Sequence, residues 1–324
     1  MNETKKWKSR LLSSSIPLEY EIGKMLSDMN FSVSFDYTYY RQEGGAKKEF
    51  STDIKGYFLF PIGAENNLDA SLTSLIECKY REEGKKWLFL RDVNKPETSI
   101  IDFGYTIKSL SEFSTVKNRD ELIGSFENKF ESALKGVEVS LTSGEVFDKD
   151  IRHGISQLKY ALPYLVKNNI ETNVFGHLVD TLPSYLISIL VTNADLYILK
   201  ENFSIDMLKK VEELEELANK VPYLICNSDI GPDFTDHHKE IFKDFFSNCK
   251  EGENLEIFEA FQKTKIRKYG LYDSPFRTCS NLEQSFYYAL KKYYSQHFVC
   301  SFDHFPELMK QILKLLSRVT KTKQ

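Results

Sequence analysis

The amino-acid sequence predicts an α/β protein, a sheet covered on both faces by helices, and three observations carry that expectation. An amphipathic helix near the start is followed by three segments of strand character. A second amphipathic helix leads into "SYLISILVTNADLYILK", whose run over 185–191 is apolar except at Ser188. A strand that is apolar on both faces belongs in a sheet packed on both sides. Beyond Gly231 and Pro232 the pattern turns helical.

The first helix is written by "SIPLEYEIGKMLSDMNF", where Ser15 suits the cap, Pro17 the first turn, and Leu18, Ile22, Met25, Leu26 and Met29 form one stripe. "FSVSFDYTYYRQEGG" alternates at Phe31, Val33, Phe35 and Tyr37 and ends in a Gly-Gly turn, which predicts a strand and a hairpin. "KEFSTDIKGYFLFPI" is the returning strand, and "ASLTSLIECKY" a third. Residues 81–149 mix short aromatic segments with a polar, helix-compatible stretch and are expected to form an insertion or lid. "DKDIRHGISQLKYALPYLVKNN" then sets Ile151, Ile155, Leu158 and Leu162 on a helical stripe, and "VPYLICNS" adds an edge strand after the apolar run. The expected organisation is one domain over 15–231, with the insertion at about 81–149, and a helical C-terminal region over 232–324.

The bulk numbers narrow the function. A chain of 324 residues with 41% hydrophobic and 28% charged residues and a net charge of -4 is globular, and any nucleic-acid surface on it must be local. No apolar run approaches the ~18 residues of a spanning helix, and "MNETKKWKSRLLSSS" lacks the apolar core of a signal peptide. A cytoplasmic protein is expected, with no membrane partner. Five cysteines, at 78, 226, 249, 279 and 300, form no CxxC pair and are expected to be reduced and packed. No G-x-x-x-x-G-K-[ST] loop is present, so no nucleotide cofactor is expected.

One stretch conflicts with ordinary packing. In "IECKY" the alternation puts Ile76, Cys78 and Tyr80 on one face and Glu77 and Lys79 on the other, in the middle of an apolar run. Burying two opposite charges there costs more in desolvation than it usually returns. In "FSTDIKGYFLF" the same alternation isolates Asp53 with Ser51 and Lys55, and a hairpin of the two strands brings Asp53, Glu77 and Lys79 together. Two carboxylates beside a lysine suit a divalent-metal hydrolase: hard oxygen donors for Mg²⁺, and a cation to orient or deprotonate the attacking water.

With "TD" at Thr52-Asp53, "ECK" at Glu77-Cys78-Lys79 and the order helix, strand, Asp strand, Glu-x-Lys strand, helix, strand, the sequence resembles the PD-(D/E)XK nuclease superfamily. The resemblance covers roughly 15–80 and 150–200. It implies a restriction-endonuclease-like core, a mixed central sheet flanked by helices, and a Mg²⁺-dependent endonuclease, Mn²⁺ being a possible substitute. Asp53, Glu77 and the Cys78 carbonyl would bind the metal, and Lys79 would act on the water. Mrr-like members carry a glutamate early in the first helix, which implies Glu19, with Glu21 as the rival. "ISQLKYA" looks like the Q-x-x-Y element of RecB-type nucleases, which implies Gln157 and Tyr160. The family's namesake proline is Thr52 here.

By that resemblance the partner is DNA, duplex before single-stranded, in a restriction or anti-phage type of system, with a homodimer or partner subunit possible. The competing expectation is a nuclease-like module that no longer cuts and binds nucleic acid or protein instead. His237 and His238 are adjacent and point about 100° apart on a helix, so they do not chelate one ion together. His153 lies near Gln157 on the same helix. Basic clusters occur in "KKWKSR" and at Lys310, Lys314 and Arg318, where a solvated face is the simpler reading.

Overall fold

The computed structural model describes residues 3–62, 68–94, 106–110, 120–175, 183–248 and 293–319, with scattered positions between 252 and 260. The helices expected over 261–292 lie outside the described residues, as do Cys249 and Cys279. Among the described residues, no helix is long and apolar enough to cross a membrane.

Two helices open the chain, α1 (Glu3–Ser13) and α2 (Ile16–Asp28), followed by an antiparallel meander of β1 (Ser32–Glu43), β2 (Ala46–Ile62) and β3 (Leu68–Lys79). Gly44 and Gly45, both with positive φ, make the tight β1–β2 turn that the sequence predicts there. Ser15 at the start of α2 makes no side-chain cap. Its Oγ instead accepts the backbone N–H of Tyr80 at 3.4 Å, tying the helix to the end of β3.

The sheet is mixed. β3 pairs in parallel with β8 (Ser184–Thr192), and β8 in parallel with β12 (Gln296–Ser301). It continues through β11 (Tyr223–Asn227), β6 (Ser132–Ser140), β4 (Lys85–Arg91), β9 (Asp195–Leu199) and β10 (Ala218–Val221), while β5 (Ile107–Ser109) pairs with β8 and β7 (Val146–Phe147) with β6. Every residue of β8 is buried: Leu186 and Leu190 join one core, and Tyr185, Ile187, Ile189 and Val191 the other.

Each face is closed by helices. The first core is covered by α4 (Lys149–Phe175) and α7 (Pro232–Asn248), through Ile155, Leu158 and Leu162 of α4 and Phe234, Phe242 and Phe245 of α7. The second is covered by α2, through Leu18, Ile22 and Leu26, and by α8 (Phe305–Val319), through Leu308, Ile312 and Leu316. Lys310, Lys314 and Arg318 point from α8 to solvent. A mixed sheet between two helical layers is the architecture.

Three expectations about organisation change. The segment 81–149 is built into the sheet: β4 and β6 lie between β11 and β9, and Arg81 joins Glu138 of β6 at 2.6 Å and Asp150 of α4 at 3.1 Å. The region 232–324 is not wholly helical, because β12 runs between β8 and β11 and crosses the boundary expected at 231. β11 is accordingly interior, paired with β12 and β6, where an edge strand was expected. A buried polar node holds the joint: Lys108 of β5 donates to the Ser188 hydroxyl at 3.3 Å and to the Gln296 carbonyl at 3.0 Å. Burial pushes this lysine down to about 7, against the pull of the Glu127 charge.

α4 lies close on the sheet at Gly154. A Cβ there would stand 2.6 Å from Leu190 Cδ1 and 3.4 Å from Lys79 Cε. Gly154→Val should therefore destabilise the fold by about 1–3 kcal/mol through overpacking. The check is a lower urea midpoint with an unchanged m-value, and an unaltered midpoint would refute the close approach.

Candidate active site

Asp53 sits where β2 leaves β3. The ladder between these strands runs to Ile54↔Ile76, and beyond it the Asp53 carboxylate takes over, its Oδ2 accepting the Cys78 N–H at 2.6 Å. On β1 the pairing passes from Phe35↔Ile54 to Tyr37↔Thr52, and the residue between, Asp36, has a φ of 57°. A left-handed residue is tolerated by Asp better than by most side chains. The hairpin bends here, carrying Tyr39 and Phe50 onto the α4 core, whereas Ile54 stays in the α2 core.

Glu77 and Lys79 lie on the α4 face of β3, as the alternation predicts. Glu77 is fully buried and Lys79 half-buried, and Lys79 Nζ donates to Glu77 Oε1 at 2.6 Å. The same Nζ donates to Gln157 Oε1 of α4 at 3.3 Å, and Gln157 Nε2 donates to the Ser51 carbonyl of β2 at 3.0 Å. Gln157 thus links the Asp53 strand to the Lys79 strand through one planar amide.

The charge of Asp53 acts on both Glu77 and Glu19. Burial and the Asp53 charge push Glu77 up to about 8. Burial also raises Asp53, against the Cys78 N–H and Lys79, which lower it. Glu19, from α2 on the opposite face, is pushed to about 7 by burial and by the charges of Asp53 and Asp36. Glu21, its rival, is exposed.

The remaining expected residues separate. Tyr160 is turned to α7: its hydroxyl donates to Asp233, Arg41 stacks 3.8 Å over its ring, and its carbonyl lies 2.9 Å from His237 Nε2. Those partners, rather than Lys79, fix its place. His238 is fully buried, whereas His237 belongs to the Tyr160 cluster. His153 feels the Lys79 charge, which with burial holds its pKa below the ordinary range. The Cys78 side chain is buried in the α2 core. Asp36 and Gly154 were not legible as site residues: a lone Asp in a strand and a lone Gly in a helix carry no signal of their own.

The donor set fits a hard divalent cation. Glu77 Oε2 is buried without a well-formed hydrogen bond, although the Asp53 backbone N–H stands close enough to lower the carboxylate, and an under-satisfied acceptor of this kind invites a cation. The carboxylates are oxygen donors whose mutual repulsion a cation would relieve. Among the described residues, no three His, Cys, Asp or Glu side chains already stand at ligating spacing.

The raised Glu77 value has a direct consequence for stability. Between the ordinary 4.5 and about 8 the folded chain keeps a proton that the unfolded chain has released. Stability is full below this window and falls as pH rises through it. The Tm without metal should decline across that range, Mg²⁺ should restore it most at the alkaline end, and Glu77→Gln should flatten both trends. A Tm that rises with pH in both proteins would refute the assignment. Comparison with protein-family models, curated proteins and solved structures finds no match for the chain.

Proposed function

We propose that the protein is a metal-dependent nuclease that hydrolyses DNA phosphodiester bonds, with a restriction-endonuclease-like core in which β2 and β3 carry the site. The observation that carries this reading is the buried Glu77, one oxygen of which is held by Lys79 while the other makes no well-formed hydrogen bond. A salt bridge kept for stability would satisfy both, since an unmet buried acceptor costs about 1–3 kcal/mol.

Asp53 and Glu77 would hold Mg²⁺, with the Cys78 carbonyl beside them and Glu19 of α2 within reach of the Asp53 charge. The ion, when bound, supplies positive charge where a phosphodiester gains negative charge on the way to its transition state. The chain's own residues supply orientation. The Cys78 N–H fixes one oxygen of Asp53. Gln157 and Glu77 hold the Lys79 ammonium between them, so its remaining proton points to the position of an attacking water. Closure of α4 over β3 at Gly154 limits water around that amine. Glu19, near 7, holds or yields a proton close to neutrality.

Cleavage of plasmid and linear DNA with Mg²⁺, Mn²⁺ or EDTA tests the reading. Wild type should cut with either metal and stop in EDTA, and Asp53→Ala and Lys79→Ala should each lose at least ~100-fold, the usual scale for one electrostatic or general-acid/base group. Gln157→Ala should lose less, roughly tenfold, because it acts through Lys79. Cutting undiminished in both Asp53→Ala and Lys79→Ala would refute the reading.

A further inference from the structure

We infer that α1 is a docking arm for nucleic acid, gripping the strand that leads to the Asp53–Glu77–Lys79 site, with Lys6, Lys8 and Arg10 on phosphates and Trp7 stacked on an unpaired base. Three observations carry this inference. From Lys5 to Pro17 the chain holds no acid, although the whole carries a net charge of -4. Basic charge is therefore concentrated on one short helix, which is the footprint of a polyanion partner.

The apolar side chains of α1 are not used in the fold. Trp7 is 62% exposed, and Leu11, Leu12, Ile16 and Tyr20 are also exposed, while Lys6, Trp7, Arg10, Leu11, Ser14 and Ile16 line a shallow groove. An indole interleaved with cations matches single-stranded nucleic acid, whose bases stack on aromatics while its phosphates take the charge. A helix of 11 residues offers little apolar area to a bilayer by comparison.

Position gives the third observation. α1 joins α2 at Ser15, whose hydroxyl is bonded to Tyr80, the residue after Lys79, and Glu19 follows one turn later. The arm therefore joins the protein at the end of β3 that carries Lys79, next to the helix that carries Glu19. The inference rests on the nuclease reading only for the direction in which the bound strand runs.

The chain has two tryptophans, and Trp87 is fully buried, so quenching of exposed indole emission reports on Trp7 alone. Labelled oligonucleotides, single-stranded, blunt duplex and tailed duplex, are titrated in EDTA over a salt series with wild type, Trp7→Ala and the triple variant Lys6→Ala, Lys8→Ala, Arg10→Ala. Wild type should prefer the single-stranded and tailed forms with quenching, Trp7→Ala should bind roughly tenfold more weakly, and the triple variant should lower the log–log salt slope by about 2 on a single strand. Exposed positions make misfolding a poor excuse, and circular dichroism checks it. Equal binding and slope in all three proteins would overturn the inference. So would binding of phosphatidylserine vesicles in place of oligonucleotide, or self-association lost in the triple variant with no oligonucleotide bound. If wild type cuts nothing while the variants lose binding, the nuclease reading fails and the arm stands. If wild type cuts and the variants bind and cut as it does, the arm fails and the nuclease reading stands.

Discussion

Removing Glu77 and Lys79 from water beneath a helix sets the terms for the surrounding structure. Losing Lys79 would leave a second oxygen of the buried Glu77 unmet, at a cost of about 1–3 kcal/mol. Lys79 is therefore held from two sides, by Glu77 on its own strand and by Gln157 on α4. α4 in turn comes near enough because Gly154 has no side chain. Asp53 is coupled into the same arrangement by the Cys78 N–H, at the place where the β2–β3 ladder ends. A carboxylate that completes a backbone ladder cannot be moved without disturbing the strands themselves.

Much of this was legible in the sequence because it follows from period. Strand alternation alone separates Glu77 and Lys79 from Ile76 and Cys78, and the observed cores keep that separation. The stripes of α2 and α4 were likewise written at helical spacing: Leu18, Ile22 and Leu26 are buried and Met25 and Met29 partly so, and Ile151, Ile155, Leu158 and Leu162 are buried in α4. Gln157 could be placed on the α4 helix, but its bond to Ser51 depends on a crossing of elements 106 residues apart. No local pattern encodes such a meeting.

The misreadings share a cause. β12 carries five successive buried residues, Gln296 to Cys300, after a segment of helical spacing, so a short strand was absorbed into a helix. With β12 unseen, β11 had no second neighbour and looked like an edge. The segment 81–149 looked like an appendage for the same reason, since its strands are tied to the rest through β11 and β9. Tyr160 followed Gln157 at the expected interval, yet Asp233 and Arg41 offered its hydroxyl and ring better partners. A spacing motif fixes which face of a helix a residue occupies and leaves open what comes to meet it.

The central place of β12 bears on biosynthesis. The strands of the carboxylates emerge early, but β8 beside them gains its second parallel neighbour only when residues 296–301 have left the ribosome. Until then the 189–192 stretch of β8 has no neighbour on that side, since β5 covers only 185–187. Most of the polypeptide must be synthesised before the sheet beneath Glu77 is whole, so a nascent or prematurely terminated chain would lack the scaffold that holds Lys79 in register. The order of translation thus acts as a delay between making the acidic residues and assembling them.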